Sequence, residues 1–437
     1  VSSAGVARDG AAHVIRREDL MKVLTNLDRG ERTGRALLPA AFLAALLAAA
    51  TILPLGLLTA TPARADGPGV GTPWIVTLGD SYISGEAGRW AGNTNKSSTT
   101  VDALGSTAYY DNAGHTAELI PYCHRSQSAE VYIGGGIEGM NLACSGAKTS
   151  SYKIGTIFKP GLDFYNTGGH EGQALMLEKF AKTHNVTLVP ISIGGNNFNF
   201  ATMVEGCVKR FILKEGACSE QPFVTENFTA KNIETQKTAI KEGILNVAEA
   251  MKNAGYTSAQ YTILVQNYPS AIPNGNELRY PETIAEREEI GGCGLYGVDA
   301  FGANQIMLAQ INKAEFGAAE AAKLTNLKLM DLSSALNGRR LCGKGIGLLE
   351  EEGLSSWKEP GAVNKTEWIS MIRTPTVAPL AAAPYELQED LHPNYWGQLA
   401  LRNCLTQAYD AGKPIGGACT IKEEGLNASG EPEMLLH

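Results

Sequence analysis

The stretch WIVTLGDSYISGEAGRW, Trp74 to Trp90, opens as an unbroken apolar run and stops abruptly at Gly79-Asp80-Ser81. A short run that is apolar at consecutive positions, not alternate ones, fits a strand covered on both faces, as in a parallel sheet. Four further runs read the same way: Met140 to Ala143, Val186 to Ile193, Tyr261 to Val265 and Leu327 to Leu332. Helical periodicity fills the intervals at Glu171 to His184, Thr229 to Ala254, about Ala303 to Leu324, and Asn394 to about Ala411. Strands alternating with helices predict a three-layer α/β/α domain with a mostly parallel central sheet. The sequence holds no internal repeat, P-loop or dinucleotide fingerprint.

Two stretches fit no regular element. Residues 91–119 are rich in Ser, Thr, Asn and Gly, and residues 343–385 mix Gly and Pro with Trp357 and Trp368. Long irregular loops inside a domain are commonly functional or mobile, and a solvated insertion is the plainer alternative.

The first 65 residues read as a leader. Arg29, Arg32 and Arg35 precede a run without charge from Ala36 to Ala60, and Ala63-Arg64-Ala65 follows as a small-residue cleavage site. The run is long enough to span a bilayer as an uncleaved anchor, but Pro54 and the A-x-A site favour a signal peptide. The expected division is therefore a leader at 1–65 and one domain at 66–437, with insertions near 91–119 and 343–385 and an extension after about 411. Without the leader, 29 Lys and Arg face 40 Asp and Glu, a balance that argues against nucleic acid or an anionic membrane surface as the main partner. No stable membrane insertion is expected of the mature chain.

All eight cysteines follow the leader, which fits disulfides in an exported protein. The gaps between them alternate shorter and longer, so the economical pairing is sequential: Cys123 with Cys144, Cys207 with Cys218, Cys293 with Cys342, and Cys404 with Cys419. Eight cysteines allow 105 connectivities, so this pairing is an expectation. None of the spacings matches a zinc site.

In an open α/β sheet, reactive groups gather beyond the carboxyl ends of the strands. Three such ends carry distinctive residues: Gly79-Asp80-Ser81, Cys144-Ser145-Gly146-Ala147 and Gly194-Gly195-Asn196-Asn197. Ser81 needs a base to become a nucleophile. Of the seven histidines, His392 has the distinctive setting, in QEDLHPNYWGQ. The elbow G-x-S-x-G of the α/β-hydrolases is not formed, because Ile83 occupies the second glycine position.

These blocks resemble the GDSL esterases and lipases, the SGNH hydrolase superfamily. Its four motifs are matched in the family's order by Ser81 in GDS, Gly146 in CSGA, Asn196 in GGNN and His392 in EDLHP. The segment CHRS, Cys123 to Ser126, narrows the likeness to secreted actinobacterial lipases, whose three local disulfides follow the order of the first three pairs above. The resemblance runs from Trp74 to about Ala411 and implies a flavodoxin-like sheet and a secreted serine esterase without metal or organic cofactor. It makes Ser81 the nucleophile, His392 the general acid and base, and the Ser81 and Gly146 N–H groups with the Asn196 amide the oxyanion hole.

The family's orienting acid is an Asp three residues before the histidine. Here Glu389 stands at that place, with Asp390 beside it, and a backbone carbonyl orients the ring in some secreted members. Glu389 is the expected partner. Asn197 and Asp80 are expected to hold turns by hydrogen bonds. Substrates of this class are acyl esters or lipids. The alternatives are a deacetylase of polysaccharide or natural product, an acyltransferase using the same acyl-enzyme, and a non-catalytic binding protein.

Overall fold

The computed structural model describes residues 66–373 and 387–437. The leader reading, at 1–65, and the end of the second irregular segment lie outside the described residues. Seven strands form the central sheet: β1 (Pro73–Gly79), β2 (Glu138–Asn141), β3 (Asn185–Ser192), β4 (Thr262–Gln266), β5 (Leu327–Asp331), β6 (Gly417–Leu426) and β7 (Pro432–Leu436). Their order is β7-β6-β5-β4-β3-β1-β2. All neighbours are parallel except the β6/β7 hairpin. The first five strands thus take the 2-1-3-4-5 order of the flavodoxin-like fold, whose topological switch lies between β1 and β3.

Alternate residues of each strand feed two apolar layers. Ile75, Leu188, Leu264 and Met330 point into one, and Val76, Val189, Ile263 and Val265 into the other. The principal helices are α1 (Ser81–Ser84), α2 (Gln173–Ala181), α3 (Phe200–Ile212), α4 (Ala230–Asn253), α5 (Ala309–Ala322) and α6 (Tyr395–Tyr409). Helix α4 starts where the Thr229 hydroxyl accepts from the Asn232 N–H at 3.3 Å, and buries Ile240, Ile244, Val247 and Met251 at helical spacing. That stripe joins Leu177 of α2 and Ala318 of α5 over one face of the sheet. Leu401 and Leu405 of α6 and Met203 and Val208 of α3 cover the other.

Each of the five expected strands is present within two residues of its expected ends. The expected helix at 303–324 is helical from Ala303 to Ala322, wound wide over Ala303–Leu308 before it continues as α5. Two features were not expected. Helix α3 follows the Asn196 block directly, and the C-terminal residues extend the sheet by a hairpin, pinned to α6 by Cys404–Cys419. The other three bridges are Cys123–Cys144, Cys207–Cys218 and Cys293–Cys342, so the sequential pairing is the one the structure forms.

The irregular segments meet through buried residues, although stretches such as 113–117 are exposed. Asn93 is buried and donates to the Glu367 carboxylate and, at 2.7 Å, to the Ile369 carbonyl, while its own carbonyl accepts from the Met371 N–H at 3.0 Å. Ile369 and Pro393 form a β-bridge, and the Ser370 N–H donates to the His392 carbonyl at 2.9 Å. The two segments brace each other and back the loop that carries His392. Trp357 packs on Tyr395 and Trp396, and Trp368 is buried with its Nε1–H on the Val363 carbonyl at 2.7 Å.

Candidate active site

Strand β1 ends at Gly79 because nothing larger fits there. Its φ is +139°, and a Cβ at this position would sit 1.9 Å from the Ser192 carbonyl oxygen. The buried Gln173 amide closes the turn from behind, accepting from the Gly79 N–H at 2.7 Å and donating to the Gly79 carbonyl at 2.9 Å. Asp80 then caps the short helix α1, its carboxyl accepting from the Tyr82 N–H at 3.3 Å. The next residue, Ser81, stands at the carboxyl edge of the sheet beside the topological switch.

His392 reaches it from the opposite end of the chain. Ser81 Oγ lies 2.7 Å from Nε2, and Nδ1 lies 2.9 Å from the backbone carbonyl of Asp390. A carbonyl only accepts, so Nδ1 carries the proton and Nε2 is left to accept from the serine hydroxyl. The loop is held by Tyr82, whose hydroxyl donates to the Leu391 carbonyl at 2.9 Å, with Leu391 itself at φ +62°. Burial pushes the His392 imidazole below its ordinary pKa, a shift partly opposed by the charge of Glu86.

Glu389 is not directed at the imidazole. Its carboxylate accepts from Trp90 Nε1–H at 2.7 Å and from the Tyr109 hydroxyl. The Asp390 carboxyl turns away too, accepting from the Arg373 N–H at 3.1 Å, and burial raises its pKa well above the ordinary value. The expectation that Glu389 orients the ring is therefore corrected: a backbone carbonyl occupies that position. The reason is local, since the short turn Leu387–Glu389 and the left-handed Leu391 swing both acid side chains off the Nδ1 side.

The three expected oxyanion donors come together. Ser81, Gly146 and Asn196 line one cavity with His392. Among the described residues, the Ser81 and Gly146 N–H groups make no backbone hydrogen bond, although those of Ser145 and Ala147 do. Glycine at 146 answers to its φ of +76°, since a Cβ there would meet Lys159 only at ordinary contact, 3.4 Å. The Asn196 amide donates one proton to the Ala147 carbonyl at 3.0 Å, which fixes its plane and leaves the second for the cavity. Asn197 ties the adjoining turns through Thr149, accepting from its N–H at 3.1 Å and donating to its hydroxyl at 2.9 Å.

The cavity measures about 340 Å³. Besides the polar groups its lining includes Phe200 and Val204 of α3, Leu308, Ile311 of α5, and Leu391. An apolar lining beside a serine and three donors suits an acyl chain attached to a carbonyl. Among the described residues no cluster of His, Cys, Asp and Glu is arranged to hold a metal ion. None of their helices is long and apolar enough to cross a membrane.

The structure is similar to three solved ester-cleaving enzymes. They are an extracellular lipase from Streptomyces rimosus (17% identity, 75% of this chain and 95% of that one, TM-score 0.39), a phospholipase A1 from Streptomyces albidoflavus (16%, 76% and 99%, 0.40) and a carbohydrate acetylesterase from Sinorhizobium meliloti (13%, 65% and 94%, 0.27). No protein-family model and no curated protein matches the sequence.

Two site features escaped the sequence reading. Tyr268, just after β4, donates its hydroxyl to the Asp80 carboxyl and accepts from the Gly195 N–H at 3.0 Å, joining the Ser81 turn to the Asn196 turn. Glu86 and His124 form a buried pair at 2.6 Å, both inside motif blocks already quoted. Their polarity within otherwise small-residue motifs was the available signal.

Proposed function

We propose that this chain is a secreted serine ester hydrolase of the SGNH type, acting on acyl esters through an acyl-enzyme. The observation that carries the reading is the 2.7 Å contact of Ser81 Oγ with His392 Nε2, in a cavity that also presents Gly146 and Asn196. His392 takes the hydroxyl proton as Ser81 attacks the ester carbonyl. Negative charge then develops on the carbonyl oxygen, where the N–H groups of Ser81 and Gly146 and the Asn196 amide receive it. Collapse expels the alcohol with the proton from Nε2. Water repeats the sequence on the acyl-enzyme and releases the acid.

The apolar wall of Phe200, Val204 and Leu308 favours an acyl chain longer than acetyl, which supports a lipase-like substrate over a deacetylase's. Export is supported by the leader motif at 1–65 and by four disulfides, which persist in oxidising compartments. The test is hydrolysis of a p-nitrophenyl ester series, with a fluorophosphonate to label the nucleophile. Wild type is expected to hydrolyse longer esters faster than acetyl and to carry the label on Ser81; Ser81→Ala is expected to be folded, unlabelled and inactive. Unchanged activity in that variant would overturn the assignment.

A further inference from the structure

When Ser81 gives up its proton, His392 becomes an imidazolium in a buried position. Such a charge is costly unless an anion compensates it, and the acceptor on Nδ1 is a neutral carbonyl that orients the ring without offering net charge. The carboxylate closest to that task by connection is Glu86. It is wholly buried, and its backbone N–H donates to the Ser81 carbonyl at 3.2 Å. Its Oε1 accepts from His124 Nδ1 at 2.6 Å, and its Oε2 from the Gln388 amide at 3.1 Å. Gln388 opens the loop that ends in His392 and lines the same cavity. Glu86 is thus joined by one hydrogen bond to the Ser81 backbone and by another to Gln388, four residues before His392.

We propose that Glu86, with His124 as its counter-cation, is the positioning residue that supplies the negative charge missing from the Nδ1 side of His392 and fixes the loop bearing it. This rests on the serine–histidine reading above. Burial by itself would raise the Glu86 carboxyl, but the charge and hydrogen bond of His124 outweigh it, with smaller contributions from His392 and Ser145, and hold it ionised below the ordinary range. The groups around the pair are Glu118, 3.5 Å from His124 Nε2; Lys159, buried and pushed down to about 8, with its Nζ on the Tyr122 carbonyl at 2.6 Å; and Tyr109, stacked on the His124 ring at 4.5 Å. On the histidine loop, Glu389 is engaged by Trp90 and Tyr109, and burial raises the Asp390 carboxyl. Glu86 is the carboxylate whose charge acts on His392 most strongly, and His124 acts on it in the opposite sense.

The opposite signs make the test. In the full folded chain labelled with ¹⁵N-histidine, the His392 imidazole is titrated by NMR, its signal assigned by loss in His392→Gln. Glu86→Gln is expected to lower the His392 midpoint by about one unit, on the order of tenfold in proton affinity, and kcat by a similar factor. His124→Gln is expected to raise the midpoint, and Glu86→Asp to stay near wild type. A folded Glu86→Gln protein whose midpoint is unmoved would overturn the proposal, as would a fall in kcat without that shift, the mark of a merely structural role. Should Glu86→Gln not fold, an unmoved midpoint in His124→Gln overturns it equally. The midpoint is read without turnover, so an inactive wild type would count against the ester hydrolase reading and leave this one to the titration.

Discussion

Replacing Glu389 by Gln keeps the side chain's length and one carboxyl-like oxygen while removing the second acceptor. The structure gives that second acceptor a defined duty: one oxygen takes Trp90 Nε1–H at 2.7 Å and the other the Tyr109 hydroxyl. Glutamine's oxygen can take the Trp90 Nε1–H while its N–H₂ donates to the Tyr109 oxygen, which leaves the phenolic O–H without its acceptor, a cost of at most about 1–3 kcal/mol in stability. Nothing on the imidazole changes, because Nδ1 stays on the Asp390 carbonyl at 2.9 Å. An acid that orients a catalytic histidine directly behaves otherwise: its amide variant loses about 10⁴ in kcat, roughly 5 kcal/mol of barrier. The expected result is therefore a lowered denaturant midpoint with kcat reduced by less than about tenfold. Stopped-flow or plate kinetics on a p-nitrophenyl ester, beside urea unfolding of the same preparation, measure both. A kcat loss of about 10³ or more with unchanged stability would refute the placement of Glu389 and return it to the imidazole.

Asn196→Ala should lower kcat by about 10²–10³ with KM little changed, since the amide acts on charge that develops only in the transition state; a raised KM at unchanged kcat would assign it to ground-state binding instead. In the wild type, kcat/KM should fall with acid along a single limb whose midpoint lies below the ordinary imidazole value of 6.5, because burial disfavours the imidazolium and keeps Nε2 a free base to lower pH; a midpoint above that value would contradict the burial argument. Tyr268→Phe removes the donor to Asp80 and the acceptor for the Gly195 N–H, so stability should drop by about 1–3 kcal/mol. Its kcat should fall with it as the nucleophile and oxyanion turns uncouple, and an unchanged urea midpoint would show that the bridge carries no weight.

The parts of this protein that were legible in its sequence are those encoded in neighbouring residues. Continuous apolar runs announced the first five strands, and the small and polar residues at the ends of three of them announced Ser81, Gly146 and Asn196. Helix α3 carries a local signal of the same kind, with Met203, Cys207, Val208 and Phe211 buried on one face. The acid behind His392 was not legible. Glu389 and Asp390 sit at the right distance along the chain, but which atom faces Nδ1 depends on the left-handed turn at Leu391 and on Trp90 and Tyr109, which lie some 300 residues away in the chain. The C-terminal hairpin escaped for a different reason: β6 pairs with β5 only at Gly417 and Ala418, and its later residues Lys422, Glu423 and Glu424 are exposed, so it shows little of the apolar pattern that marks the inner strands.

The buried carboxyls around the Ser81–His392 contact are not all held alike. Behind the nucleophile, burial pushes the Asp80 carboxyl up to about 7 despite its bonds to Tyr268 and the Tyr82 N–H, and raises Glu315 well above the ordinary range. Under the proposed mechanism an ionised carboxylate there would repel the oxyanion, so both upward shifts would favour it. Lys159 is near Gly146, its Nζ 3.7 Å from where a Cβ of that residue would be. On the histidine loop burial raises the Asp390 carboxyl as well, whereas His124 holds Glu86 below the ordinary range. Glu86 is thus the carboxyl of this group held below its ordinary range, and under the proposed mechanism its charge would favour the cation that forms on His392.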